Sequence, residues 1–157
     1  MKDKAVIIDL DGTLIDNSAR ALAHLERSKA NINNPGIRWD EFFAGSELID
    51  RPNNWCAELT YSLFFDGYKI IFLTGRQDTE ITGAATRMWL DRWFPDLVFD
   101  LYMRKAKDFR KNEEIKYDLL VNEIIPKYNV LFAIDDMKAN IDMLRKLGIP
   151  ALHCADF

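Results

Sequence analysis

Apolar residues along the chain gather into five short runs, AVIIDL (5–10), KIIFL (69–73), LVFDLYM (97–103), VLFAI (130–134) and ALHC (151–154), with helical patterns between them. Strands separated by helices pair in parallel through right-handed crossovers, so the pattern predicts an α/β fold with a doubly wound parallel β-sheet. The helices carry their own punctuation. In NNWCAELTYSLFFDG, Trp55, Leu59 and Leu63 repeat at i, i+4 and i+8, Asn53 or Asn54 caps the start, and Gly67 supplies the stop. MKANIDMLRKLG runs from the fourth strand to Gly148, and EEIKYDLLVNEIIP ends at Pro126.

One interval is too long for a simple crossover. More than fifty residues separate Gly12 from the second strand, where one helix would suffice. The surplus, about 17–52, holds a predicted helix over Arg20–Lys29, the turn-rich NINNPG (31–36) and RWDEFFAGSELIDRP (38–52). It reads as a small helical cap insertion after strand 1, packed over the active edge of a single domain spanning 1–157. The sequence has no repeat, low-complexity tract or linker to divide it.

Composition narrows the class. A chain of 157 residues buries roughly 70% of its unfolded surface and needs no staples. At 48% hydrophobic and 29% charged it has neither the polarity of disorder nor an apolar run able to cross a bilayer. The start, MKDKAVIIDL, carries no small-residue cleavage pattern, so the expectation is a cytoplasmic protein without membrane contact. Cys56 and Cys154 lie far apart without metal-ligand spacing and read as buried thiols. A net charge of −4 argues against nonspecific nucleic-acid binding. Yet RKAKDFRKNEEIK (104–116) sets six Lys/Arg against three Asp/Glu, a basic segment inside an acidic protein. No motif fixes an oligomeric state.

The first strand ends in a contradiction, because a run built for the core carries Asp9 and Asp11. Two residues apart, they project from one face at the strand's C-terminal end, where ligands bind in open α/β sheets. Buried without partners, such carboxylates are costly. Gly12 permits the sharp turn that follows. The second strand ends FLTGR, where Thr74 offers a hydroxyl and Gly75 opens backbone N–H groups to an oxyanion. The fourth ends AIDDMKAN and brings Asp135 and Asp136 to the same edge, one of them equally suited to capping the next helix. Two acids facing two others repel unless a divalent cation lies between them, and oxygen-only ligands favour Mg²⁺ over a transition metal. Lys116, on the helix before the fourth strand, adds a fixed cation for a phosphate.

In this order DLDGT, FLTGR, Lys116 and IDDMKAN resemble the haloacid-dehalogenase-like (HAD) phosphohydrolase superfamily over nearly the whole chain. Receiver domains use similar parts, but their acidic pair comes first and their phospho-acceptor later. Further stretches resemble the 3′-phosphatase domain of phage polynucleotide kinase and its stand-alone relatives: NSAR ending at Arg20, WDEFF (39–43), DRP (50–52), TRMWL (86–90), LYMRKAKDFRKNEEIK (101–116) and the terminal DF. That family pattern has an Arg nine residues after the second catalytic Asp, which is Arg20, and an Arg directly after Thr/Ser-Gly, which is Arg76. It reads Asp-x-Arg-x-Asp before the Lys, whereas DFRKN places Asn112 at the last acid, with Glu113 as a candidate substitute.

The resemblance implies roles. Asp9 is the nucleophile that forms an aspartyl-phosphate, ionised at neutral pH without an activating base. Asp11 protonates the leaving alkoxide and later takes a proton from water, work worth roughly 10²–10⁴ in rate. Mg²⁺ is held by Asp9, Asp135, Asp136 and the Asp11 carbonyl, while Thr74, the Gly75 N–H and Lys116 stabilise the equatorial oxygens. Arg20, Arg76, Arg104 and Arg110 are candidates for flanking phosphates through their forked guanidinium groups. Trp39 and Phe42 or Phe43 are candidates for stacking on a base; His24 and His153 have no identifiable partner. The implied substrate is a 3′-phosphorylated nucleotide or nucleic-acid end. A HAD phosphatase for a 5′-nucleotide or another small phosphorylated metabolite is the alternative within enzymes. A non-catalytic HAD-fold binding module is the alternative outside them, opposed by the presence of every core catalytic position. The sequence has no Gly-x-x-x-x-Gly-Lys-Ser/Thr loop, so no kinase half is expected in it.

Overall fold

The structure, a computed structural model, describes residues 2–30 and 39–154. In chain order they form β1 (Lys4–Ile8), β2 (Ile15–Asp16), α1 (Ser18–Ala30), α2 (Trp39–Phe43), α3 (Ser46–Ile49), β3 (Arg51–Pro52), α4 (Asn54–Phe65), β4 (Lys69–Asp78), α5 (Glu80–Trp93), β5 (Phe99–Lys105), α6 (Asn112–Leu119), β6 (Asn129–Asp135), α7 (Lys138–Lys146) and β7 (Ala151–His153). A turn of π-helix, Leu120–Ile124, extends α6.

The five expected strands make one parallel sheet of order β5-β4-β1-β6-β7. Central β1 is covered on both faces, which is why its apolar run is unbroken. Ala5 and Ile7 point into one core with Ile71, Leu73, Ile115 and Leu144. Val6 and Ile8 point into the other with Phe72, Trp89, Leu90 and Phe94. The Val, Ile, Leu and Phe side chains among them contribute about 1.5–3 kcal/mol each when fully buried. Strand order reverses at β1, with β4 on one side and β6 on the other, and the crevice at that switch point is where this architecture binds ligands.

Two features depart from the simple pattern. β4 continues beyond its apolar run through Asp78, and its register with β5 slips between Thr74 and Gln77, so Gly75 and Arg76 leave the ladder at the sheet's edge. The surplus segment after β1 supplies α1, α2 and α3, and a two-residue antiparallel ribbon closes it, pairing Ile15 with Pro52 and Asp16 with Arg51. A ribbon that short has no sequence period to detect. The turn expected over 31–36, the Trp39 side chain and the terminal DF lie outside the described residues.

Among the described residues no helix is long and apolar enough to cross a membrane. Both cysteines are free. Burial pushes the Cys56 thiol up to about 12, which keeps it inert.

Candidate active site

Past Ile8 the chain stays in the sheet for one more bond, Asp9 N to Ile134 O at 3.0 Å, and then turns, with Ile15 N returning to Leu10 O at 2.8 Å. Gly12 adopts φ +77°, and a Cβ there would lie 2.3 Å from Asp136 Oδ2. Conformation and closeness both require glycine. The turn delivers Asp9 and Asp11 to a cavity of about 570 Å³ that Thr74, Gly75, Arg76 and Asp136 also line.

Asp9 sits on the dry side. Lys116, itself 1% exposed, donates from Nζ to Asp9 Oδ1 at 2.5 Å and to Asp135 Oδ2 at 2.6 Å. Asp135 is held further by Met137 N at 2.8 Å and by Asn140 Nδ2 at 2.9 and 3.0 Å. Two carboxylates share one ammonium, with a third, Asp136, beside them. Burial first, and then the charges of Asp135 and Asp136, push the Asp9 carboxyl well above its ordinary value against the pull of Lys116. Burial likewise works against the Lys116 charge, but Asp9 and Asp135 outweigh it and keep the ammonium protonated. Burial and Asp135 push Asp136 up to about 6. Carboxylate oxygens of Asp9, Asp135 and Asp136 lie within 4.8 Å of one another. A single cation with oxygen ligands at roughly 2.0–2.6 Å spans that spread, and the donor set is all hard oxygen.

Asp11 sits on the arginine side. Arg76 grips it with both prongs, Nε to Oδ2 and Nη2 to Oδ1 at 2.7 Å each, Asn17 Nδ2 adds a bond at 2.9 Å, and Arg20 Nη2 stands 3.6 Å away. Burial opposes the Asp11 charge, but these groups overcome it and hold the carboxyl below its ordinary value. Behind them lies Asp50, fully buried, which accepts Arg20 Nε at 3.0 Å and Nη2 at 2.6 Å and faces Arg76 Nη2 at 3.8 Å. Trp89 Nε1 holds the Asp50 carbonyl at 3.0 Å, and Thr86 Oγ1 accepts Arg76 Nη1 at 3.2 Å. The Arg20 and Arg76 guanidinium carbons lie 4.1 Å from the Phe42 ring centroid and 4.5 Å from that of Phe43. These two aromatics thus brace the arginines, and Phe43 is buried.

The fold brings Asp9, Asp11, Thr74, Gly75, Arg76, Lys116, Asp135 and Asp136 together, while Arg104 and Arg110 are engaged by the protein. Arg104 Nε donates to the Gly75 carbonyl at 2.8 Å, and exposed Arg110 pairs with Asp108 at 2.8 Å and Asp118 at 2.6 Å. Thr74 Oγ1 accepts the Arg76 N–H at 3.2 Å. Asn112 packs on Gly75 so closely that a Cβ on the glycine would lie 2.0 Å from its Oδ1, and that oxygen is buried without a partner among the described residues. His153 Nε2 does have a partner, the Asp136 carbonyl at 2.8 Å. Asp50, Asn17 and Asn140 escaped the sequence reading. The only signal for Asp50 was an acid directly before Arg-Pro, and for Asn140 its place at the end of AIDDMKAN.

Comparison with known proteins agrees with this geometry. The model of a family described as "Polynucleotide kinase PNKP phosphatase domain" matches residues 40–157, from α2 to the end of the chain. A protein of Autographa californica nuclear polyhedrosis virus described as a bifunctional polynucleotide kinase/RNA ligase is 33% identical over 90 residues, 56% of this chain and 13% of that protein. A chain in the structure of the Pnkp1/Rnl/Hen1 RNA repair complex superimposes with a TM-score of 0.75 at 30% identity, over 99% of this chain and 44% of that one. The chain therefore spans less than half the length of these relatives. The class C acid phosphatase of Bacillus anthracis, solved with tungstate bound, shares the fold with a TM-score of 0.61 at 16% identity, over 99% of this chain and 67% of that one.

Proposed function

The chain belongs to the family of polynucleotide kinase PNKP phosphatase domains, phosphatases of the HAD type, and from that membership we propose that it removes the 3′-phosphate from nucleic-acid ends or nucleotides through an aspartyl-phosphate on Asp9. The observation that carries the reading is the pairing of two carboxylates in one cavity under opposite control, Asp9 beside Lys116 and Asp11 in the grip of Arg76.

In the first half-reaction an Asp9 oxygen bonds to phosphorus, the P–O ester bond breaks, and the leaving 3′-oxygen takes a proton from Asp11. In the second, water attacks the phosphorus, Asp11 takes the water's proton, and the acyl-phosphate bond breaks to free Asp9 and phosphate. Arg76 keeps Asp11 ionised, the form that accepts a proton. The donating form arises when an entering phosphate competes for the Arg76 guanidinium and the carboxyl picks up a proton from solvent. Lys116 keeps Asp9 in place and offers positive charge to the phosphoryl group, as do Thr74 and the Gly75 N–H. Asp9, Asp135 and Asp136 would hold Mg²⁺, which when bound would screen Asp9 from the phosphate's charge. The described parts of the 17–52 segment serve as a cap, with Phe42 and Phe43 forming one wall of the cavity.

Support for a nucleic-acid end comes from the described activities of the relatives and from the basic 104–116 segment beside the cavity. The test is phosphate release from a 3′-phosphorylated oligonucleotide, its 5′-phosphorylated twin, a 3′-mononucleotide and p-nitrophenyl phosphate, with Mg²⁺ and with EDTA. Mg²⁺-dependent release from the 3′-phosphates is expected, lost at least about 10³-fold in Asp9→Asn. Release confined to the 5′-phosphate or to non-nucleotide esters sinks the reading.

A further inference from the structure

The loop between β5 and α6 displays a side chain that the catalytic chemistry leaves unused. Phe109 is 78% exposed, a poor place for an apolar ring, yet it lines the same cavity as Asp9. The loop that carries it is firmly tied. Arg104 Nη1 reaches the carbonyls on either side of Phe109, Asp108 O at 3.1 Å and Arg110 O at 2.8 Å, while its Nε holds Gly75 of the phosphate site. The Asp108 carboxylate accepts Arg110 N at 3.2 Å, and Lys107 N donates to Gln77 Oε1 at 2.8 Å. Lys107 itself sits at φ +64°, a left-handed conformation that costs a side-chain-bearing residue roughly 1–2 kcal/mol and persists only where fixed contacts impose it. The same Arg104 therefore links the loop's shape to the backbone that faces the scissile phosphate.

Charge around the ring points one way. Lys105, Lys107 and Lys111 are exposed, and among the described residues none of them ion-pairs with a carboxylate. The arginines of the same segment are already spent on Asp108, Asp118 and backbone carbonyls. A fixed aromatic face among uncommitted lysines, opening on a phosphate-cleaving cavity, is the arrangement that takes a single strand: the base stacks and the ammonium groups follow the backbone. We infer that the 105–111 loop is a landing platform for a single-stranded polynucleotide 3′ end, in which Phe109 stacks on a base at the scissile end and Lys105, Lys107 and Lys111 meet the phosphates behind it. The inference rests on the 3′-phosphatase reading and deepens it, because it makes the protein prefer a strand to a mononucleotide.

The experiment compares kcat/KM on a 3′-phosphorylated single-stranded oligonucleotide with kcat/KM on p-nitrophenyl phosphate, which has no base-bearing strand. In Phe109→Ala the ratio of the two falls about 5- to 50-fold through KM for the oligonucleotide, and Phe109→Trp restores it. In the triple Lys105→Gln, Lys107→Gln, Lys111→Gln variant, the log–log dependence of oligonucleotide KM on salt flattens by up to about 2. An unchanged ratio in Phe109→Ala, or a loss that Phe109→Trp does not repair, overturns the platform while the strand is still hydrolysed. A wild type that hydrolyses p-nitrophenyl phosphate and leaves every 3′-phosphorylated strand intact overturns the substrate reading, and the platform with it.

Discussion

Asp9 and Asp11 both follow the end of β1 and line one cavity, yet one lies in a dry nest of three carboxylates around a single ammonium and the other in the fork of an arginine. Their carboxyls are accordingly driven apart, Asp9 upward by burial and like charge, Asp11 downward by Arg76, Arg20 and Asn17. Backbone position alone therefore does not set how each carboxyl titrates; the residues packed around it do. Lys116 and Asn140 define one half, and Asp50 and Thr86 the other. The Asp9 half has a deficit of positive charge, which is what a cation site needs. The Asp11 half is closely balanced within the protein, with two arginines facing two acids.

The sharpest way to break this contrast is to remove the one ammonium. Lys116→Met leaves Asp9 and Asp135 facing each other without a counter-charge, and removing one partner of a buried pair costs about 3–5 kcal/mol. Urea unfolding in EDTA should register that loss, with part of it recovered on adding Mg²⁺. A loss under about 1 kcal/mol would mean that the nest does not depend on Lys116. Phosphate release should fall at least about 10³-fold in the same variant.

On the other half the expected effect is smaller. Arg76→Lys keeps the charge but loses the two-pronged grip, so Asp11 is no longer held in one orientation. The rate should drop about 10²-fold, within the range that acid–base work commands, with a modest change in stability. Wild-type turnover in Arg76→Lys would show that Asp11 needs only a nearby positive charge.

The same contrast explains what the sequence could reveal. Asp9, Asp135 and Asp136 lie at the ends of β1 and β6, Asp11 in the turn after β1, Thr74 at the break in the β4 ladder and Lys116 one helix away, so the order of strands along the chain already points to one edge. The five strands were legible because both faces of β1 are buried and its run is unbroken. Arg20 and Arg76 read from the sequence as candidates for flanking phosphates, and in the structure their forks close on Asp50 and Asp11. Which acid a long flexible arginine meets is decided by three-dimensional neighbours such as Trp89 and Phe43, far away in sequence. Asp50 stayed hidden for the same reason, since nothing local distinguishes a fully buried acid from a solvated one. The π-turn at Leu120–Ile124 and the β2–β3 ribbon are too short to leave a period.

The smallest effect tests the sign of the contrast directly. Asp136 titrates near 6 in the folded chain against an ordinary 3.8, so between those values the folded state holds a proton that the unfolded state has released. Stability from this group is therefore greatest at the acid end and declines as pH rises from about 4 to about 6. Asp11 is held below its ordinary value, so its contribution has the opposite sign: present at neutral pH and lost as pH falls below about 4. In EDTA, the melting temperature of Asp136→Asn relative to wild type should climb by about 2–4 °C between pH 4 and pH 7, roughly what 1 kcal/mol moves a domain of this size. Asp11→Asn relative to wild type should move the other way as pH rises from 3 to 5. Saturating Mg²⁺ should raise the melting temperature of wild type at pH 7 and do so less in Asp136→Asn, because the cation neutralises the crowding that the substitution has already relieved. Two difference curves of the same sign would mean that the two halves are one electrostatic unit, and the separate control of Asp9 and Asp11 would fall with them.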